Sequence, residues 1–225
     1  MIQSKMNLLV GCALFFIGGL LSCQTSTQEE TTAHLTNEQL VVKHPVFKNG
    51  DIIFQTSNSS QSKAIQLATN SPYSHVGIIY QQNDEYWVYE AVEPVQLTQL
   101  ATWVKRGKKG HYVVKRLKDT TILTPSVLNT MKSIGQRYNG KHYDLYFEWS
   151  DEKIYCSELV WKIYKEATGL SLGKLSRLSD FDLTHPTVQK KIQERFKRAI
   201  PLDEKVISPA SIFNSDLLTT IYSQH

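Results

Sequence analysis

The chain has 225 residues, 41% of them hydrophobic and 20% charged. That balance excludes a disordered or fibrous chain and supplies enough apolar side chains for one full core. The formal charge of +4 comes from 25 basic and 21 acidic residues that largely interleave, which does not argue for a nucleic-acid partner.

Lys5 precedes an apolar run at residues 8–21, LLVGCALFFIGGLL. A membrane-spanning helix needs about 20 residues, so this 14-residue run suits the core of a secretory signal instead. It closes on Leu20-Leu21-Ser22-Cys23, which resembles the bacterial lipobox, where the cysteine is lipidated and becomes the first residue. The expected organisation is a lipoprotein signal peptide at 1–22, a lipidated tether and N-terminal segment at 23–45, and a single folded domain at 46–225. The protein is then exported and held to the bilayer of the bacterial cell envelope through Cys23. Of the three cysteines, Cys12 leaves with the signal and Cys23 is blocked by lipid. Cys156 remains, so no internal disulfide forms, and a lone thiol in an exported protein points to a reactive nucleophile.

Within the domain the expected elements follow in order. A short helix at 34–43 ends at His44-Pro45. A turn at 48–51 leads into a buried strand, Ile52-Ile53-Phe54. A short helix around 64–68 ends at Asn70-Ser71-Pro72. Residues 73–80 and 86–92 read as two strands joined by a polar turn, an antiparallel hairpin. Residues 98–106 read as a short helix carrying Trp103, 107–110 as a turn, and 111–117 as a further strand. Thr124-Pro125 caps and opens a helix. An irregular aromatic segment at 139–150 precedes the helix that begins at Cys156. Its apolar positions are Leu159, Val160, Ile163, Tyr164 and Ala167, and Gly169 closes it. Thr184-His185-Pro186 opens another helix, whose outer face from Lys190 to Arg198 is strongly basic. That face reads as solvated surface, or as a contact for anionic envelope polymer or lipid headgroups. Residues 209–218 give a last turn or short helix. This order suggests an α+β fold with a small antiparallel sheet packed with helices.

Cys156 therefore stands at the first turn of a helix, where free N–H groups and the helix dipole favour a thiolate. The alternative is a small buried hydrophobe, as many free cysteines are. A nucleophile needs a base, and seven histidines are present. His75 opens a strand after a Pro-containing loop and has a carboxylate, Glu90, on its hairpin partner. Glu90 would accept the Nδ1–H of His75 and fix its tautomer. Register decides this: a hairpin loop of even length puts His75 and Glu90 on one face, and an odd one separates them. His111 is a competing base. His34, His44, His142, His185 and His225 fit tether, surface, cap or terminal positions better.

The segments GDIIF (50–54), SPYSHVGII (71–79), VYEA (88–91) and YDLYFEWSDEKIYCSELVWKIY (143–164) resemble the YiiX/YaeF-like family. These are circularly permuted papain-like proteins of the NlpC superfamily. The resemblance implies a permuted papain-like fold, with the His strand before the Cys helix, and a Cys–His–polar triad mapped to Cys156, His75 and Glu90. It also implies an active-site tyrosine, best matched by Tyr143, with Tyr138 as the alternative. It implies no cofactor, and no cysteine/histidine cluster has metal-ligand spacing. The implied activity is that of a cell-envelope cysteine amidase or peptidase on cell-wall peptides, through a thioester. A thioesterase-like lipid hydrolase or acyltransferase with an apolar pocket is the enzymatic alternative, and a lipid-anchored binding protein without chemistry is the third. The aromatic stock of Tyr73, Tyr143, Tyr146, Phe147 and Trp149 fits either an apolar pocket or a core. Oligomeric state is not legible.

Overall fold

The computed structural model describes residues 46–197 and 199–224. The apolar leader, Cys23, the expected helix at 34–43, His34, His44, Arg198 and His225 lie outside them. No helix among the described residues is long and apolar enough to cross a membrane.

The frame is a six-stranded antiparallel sheet. Its strands are β1 (Ile52–Ser57), β2 (His75–Gln82), β3 (Glu85–Glu90), β4 (Gln96–Gln99), β5 (Gly107–Leu117) and, after the two-stranded β6 (Ser176–Arg177) and β7 (Lys205–Val206), β8 (Leu218–Gln224). They lie in the order β4-β3-β2-β1-β5-β8. The helices are α1 (Ser62–Thr69), α2 (Leu100–Lys105), α3 (Pro125–Gln136), α4 (Cys156–Thr168), α5 (Pro186–Arg195) and α6 (Pro209–Phe213).

Both faces of the sheet centre are covered, which is why β1 and β2 carry nearly continuous apolar runs. Ile52, Phe54, Val76, Ile78 and Tyr80 point to one face and pack against Met131 and Ile134 of α3 and Leu159, Val160 and Ile163 of α4. Ile53, Ile79, Val88 and Val114 point to the other and pack around Trp103 of α2 and Phe47. Each such side chain, fully buried, contributes about 1.5–3 kcal/mol.

The β2–β3 connection is a two-residue turn at Asn83 and Asp84, with φ of 50° and 61°. Two central residues in the left-handed region make a tight hairpin turn whose twist matches the strands, and Asn and Asp tolerate it best. The resulting register pairs Ile78 with Tyr89 and Tyr80 with Trp87. Continued by one step, it sets Glu90 opposite Gly77, so Glu90 and His75 are diagonal neighbours on one face. Gly77 is required there: a Cβ would lie 2.4 Å from Val88 Cγ1 and 2.9 Å from the Tyr89 carbonyl.

Three expectations are corrected. Residues 107–110 are not a free turn but the start of β5, since Ser57 pairs with Gly107 and the extra residues of β5 are absorbed in a register shift. The left-handed φ of Lys109 and Gly110, 58° and 70°, marks that kink. The chain after α6 is a strand: β8 pairs with β5 along Leu117↔Leu218 to Tyr112↔Gln224. Its polar, half-exposed sequence LTTIYSQ hid the two-residue period. Residues 96–99 form the edge strand β4 ahead of α2, a segment too short to show any period.

Helix α4 is anchored at both ends. Ser157 Oγ donates to the Ile207 carbonyl at 2.7 Å, and the Ile207 N–H donates to the Tyr155 hydroxyl at 3.1 Å. The Tyr164 hydroxyl donates to the Gly50 carbonyl. Gly169 ends the helix at φ 76°.

Candidate active site

Cys156 is the first residue of α4, following Tyr155 in extended conformation at the N-cap. It is buried and is the free cysteine among the described residues. His75 opens β2 on the α2 side of the sheet, at the strand end that meets the start of α4. The two side chains hydrogen-bond to each other. The N–H groups of Val76 and Ser157 also serve the sulfur.

His75 Nε2–H donates to Glu90 Oε2 at 2.6 Å. This corrects the expected use of Nδ1: the diagonal register brings the far ring nitrogen to the carboxylate and leaves Nδ1 for the thiol. The ring stacks on Trp103 at 5.9 Å and 25°. Glu90 is fully buried. Its second oxygen accepts from Thr98 Oγ1 at 2.6 Å and from Arg106 Nη2. A buried carboxylate without such donors would be strongly disfavoured. Thr98 continues the diagonal across β4, so one row runs from β2 to β4: His75, Glu90, Thr98.

The electrostatics follow from this geometry. Burial pushes the Cys156 thiol up, but the bond to His75, its charge and the two backbone N–H groups outweigh it, and the pKa falls below the ordinary thiol value. Burial works against the imidazolium of His75, yet Cys156 and Glu90 together raise it to about 10. Burial pushes the Glu90 carboxyl up, and His75, Thr98 and Arg106 pull it below the usual range. Both shifts favour a thiolate–imidazolium pair beside a carboxylate.

Tyr143 reaches the same point from the irregular segment, held by a parallel bridge to Ile154 and by its N–H donating to Glu93 Oε2 at 2.9 Å. Its hydroxyl hydrogen-bonds with Cys156 and accepts from Gln61 Nε2 at 2.9 Å. Burial, with the charge of Cys156, holds its pKa well above the ordinary phenol, so it stays a donor. Tyr138 does not take part; its hydroxyl donates to Asp151 Oδ1 at 3.2 Å. His111 is exposed on β5. His142 pairs with Glu93 at the surface, and His185 caps α5 by accepting from Thr187 N–H at 3.1 Å.

Two recesses meet at this point. A cleft of about 610 Å³ is lined by Ser57, Asn58, Gln61 and Ser74 together with His75 and Tyr143, and most of the surface that it presents is apolar. An apolar hollow of about 90 Å³ lies against Cys156 and Tyr143, lined by Ile65, Ala68, Phe147 and Leu183. A further hollow of about 80 Å³ shares Ile65, Ala68, Phe147 and Leu183 with it and extends to Val188 and Ile192. Of the aromatic stock read from the sequence, Tyr143 and Phe147 line the hollow at Cys156. Tyr73 stacks on Phe213 at 4.2 Å, Tyr146 meets Phe196, and Trp149 packs on Trp161.

Sequence reasoning missed Thr98, Arg106, Gln61 and Arg195. A row diagonal to Glu90 would have pointed to Thr98 once β4 was known. Gln61 and Arg195, which donates to Gln61 Oε1, are 134 positions apart, and nothing local links them.

The profile of a family described as "Permuted papain-like amidase enzyme, YaeF/YiiX, C92 family" matches residues 46–222. The chain is 46% identical over 186 residues to the Escherichia coli (strain K12) uncharacterized protein YiiX, covering 81% of this chain and 91% of the relative. It also superposes on the crystal structure of metalloprotein yiiX from Escherichia coli O157:H7 with a TM-score of 0.75 and 47% identity, covering 79% of this chain and 97% of that one.

Proposed function

We propose, from the premise that the chain belongs to the permuted papain-like amidase family, that it is a cysteine hydrolase of amide bonds in which Cys156, His75, Glu90 and Tyr143 carry the reaction. One observation supports this most: a buried thiol at the start of α4 is hydrogen-bonded to a histidine whose Nε2–H is held at 2.6 Å by a fully buried carboxylate.

The Cys156 thiolate attacks the amide carbonyl carbon, and the carbonyl electrons move to oxygen. Backbone N–H groups of the first turn of α4 and the Tyr143 hydroxyl donate to that oxyanion. His75 gives its Nδ1 proton to the departing nitrogen, the C–N bond breaks, and the amine leaves. A thioester remains. His75 then takes a proton from water, the resulting hydroxide attacks the thioester, and the Cys156 thiolate leaves, completing the hydrolysis. Glu90 keeps the Nε2 tautomer in place and stabilises the imidazolium. The relative's crystal structure is titled a metalloprotein. Among the described residues here, no group of three or more His, Cys, Asp or Glu side chains is arranged to hold a metal. The described residues thus offer no such donor set, and the steps above use this chain's own side chains.

Individual hydroxyl and amide side chains of the larger cleft, Ser57, Asn58, Gln61 and Ser74, can pair with the amide groups of a peptide, which supports a substrate among cell-wall peptides. The apolar hollows beside Cys156 favour a second reading, an acyl group of a lipid as the attacked chain. Purified peptidoglycan digested by the wild type yields new amine termini, and Cys156→Ala abolishes them, a loss of at least ~10³-fold. Release of fatty acid from phospholipid vesicles, with no peptidoglycan product, establishes the acyl reading instead. Neither product, together with an unreactive Cys156, indicates a binding protein. The lipobox-like end of the leader supports an anchor on the envelope membrane, and Cys23→Ser is then expected to move the protein from the membrane to the soluble fraction.

A further inference from the structure

Five arginines are described, and four have a carboxylate partner: Arg106 with Glu90, Arg116 with Asp51, Arg137 with Glu166 and Arg177 with Asp203. Arg195 has none among the described residues. Its acidic neighbour Glu194 pairs with Lys191. Arg195 stands in the last turn of α5 but turns off the basic face. Its guanidinium lies 5.5 Å over the Phe147 ring, and Nη2 donates to the neutral amide of Gln61. Burial lowers its pKa, and the pull of Tyr143, Glu194 and Asp144 does not restore it. A partly desolvated guanidinium satisfied only by an amide retains donors and charge for an anion, and its planar fork suits an oxyanion group in two-point contact.

Its position gives that charge a use. Arg195 lines both the large cleft, with His75 and Tyr143, and the apolar hollow that continues from Cys156. The link Arg195–Gln61–Tyr143–Cys156 ties it to the nucleophile through successive hydrogen bonds. The one carboxylate in the cleft wall outside the His75 row, Glu93, is occupied by His142 and the Tyr143 N–H, so it does not neutralise Arg195.

We infer that Arg195 is the specificity-determining residue of the cleft and binds a carboxylate of a peptide-like substrate, placing the amide to be cleaved over Cys156. The amide and hydroxyl side chains of Asn58, Gln61 and Ser57 in the same cleft can pair with the backbone groups of a peptide, and a phosphate probe tests a headgroup as the source of that anion. The inference rests on the nucleophile reading above, and the test separates the two.

Small chloroacetamides with a common reactive end and a distal carboxylate, carboxamide or phosphate monoester report the preference. The quantity read is the second-order rate of Cys156 alkylation by intact mass. The carboxylate probe is expected to react on the order of tenfold faster than the carboxamide at low salt, as one charge-assisted contact allows. Arg195→Gln brings that ratio to near one, whatever the absolute rates, and Arg195→Lys keeps part of it. Equal wild-type rates for the two probes, both above a free thiol, overturn the inference and leave the nucleophile intact. A ratio retained in Arg195→Gln overturns it as well. Preference for the phosphate over the carboxylate overturns the peptide assignment in favour of a phospholipid headgroup. If no probe alkylates Cys156 faster than a free thiol, the nucleophile reading itself fails.

Discussion

The two halves of the site are built differently. The base half is a row across three strands, His75, Glu90 and Thr98, in which a two-residue turn sets His75 against Glu90, the β3–β4 register adds Thr98, and Arg106 closes the end. The nucleophile half has no such ladder. Cys156 stands on a helix start and Tyr143 on an irregular segment, and both are placed by distant contacts: Ser157 and Tyr155 to Ile207, Tyr143 to Gln61 and Ile154. A base needs one orientation and one tautomer, which a sheet register delivers cheaply in sequence. A nucleophile facing a substrate needs open space beside it, which a helix end against a loop provides.

Removing His75 breaks the link between the halves and has the largest expected effect. With the pair intact, the thiolate persists below the ordinary thiol range, and the imidazolium is lost only as pH rises past about 10. In His75→Ala the burial penalty on the thiol is opposed only by the weaker pull of the Val76 and Ser157 N–H groups, so its pKa climbs above the usual ~8.5. Amide hydrolysis should fall on the order of 10³-fold or more. Alkylation of Cys156 at pH 6 should become slower than that of a free thiol, with the rate rising only in alkaline buffer. An unchanged pH profile would mean that the two halves are not coupled.

Glu90→Gln tests the base half alone. Thr98 and Arg106 both donate to one carboxylate oxygen, so the amide oxygen takes that place and its NH₂ faces His75. The imidazole then carries its proton on Nδ1 and cannot accept the thiol proton. The expected loss in kcat is about 10² to 10⁴-fold. Thr98→Val leaves Arg106 in place and should lose far less.

The smallest effect sharpens the nucleophile half. Glu158 sits fully buried in the first turn of α4, 2.8 Å from Lys162, and desolvation raises its carboxyl to about 8 despite that lysine. The folded protein thus holds this proton more tightly than the unfolded chain. Its contribution to stability is complete below the ordinary value of 4.5 and is lost as pH rises toward about 8. Glu158→Gln should remove this decline, raising the melting temperature at pH 8 relative to pH 5 by a few degrees, measured by scanning calorimetry.

The amino-acid sequence by itself determined the parts governed by short-range rules. The apolar period and Gly169 marked α4, so Cys156 was legible at its first turn. The alternation in 73–80 and 86–92 marked the hairpin, and the segment order carried the likeness to a permuted papain-like family. It stopped at quantities that one step of register or a distant packing contact decides. Whether His75 and Glu90 share a face depended on a two-residue turn, since adjacent strand residues point to opposite faces. Which imidazole nitrogen met the carboxylate depended on the diagonal rather than direct pairing. β4 was too short and β8 too polar to show a period, so Thr98 was not legible as a partner of Glu90. Only the tertiary structure brought Gln61 and Arg195 to Tyr143, because contacts between residues so far apart leave no trace in local pattern.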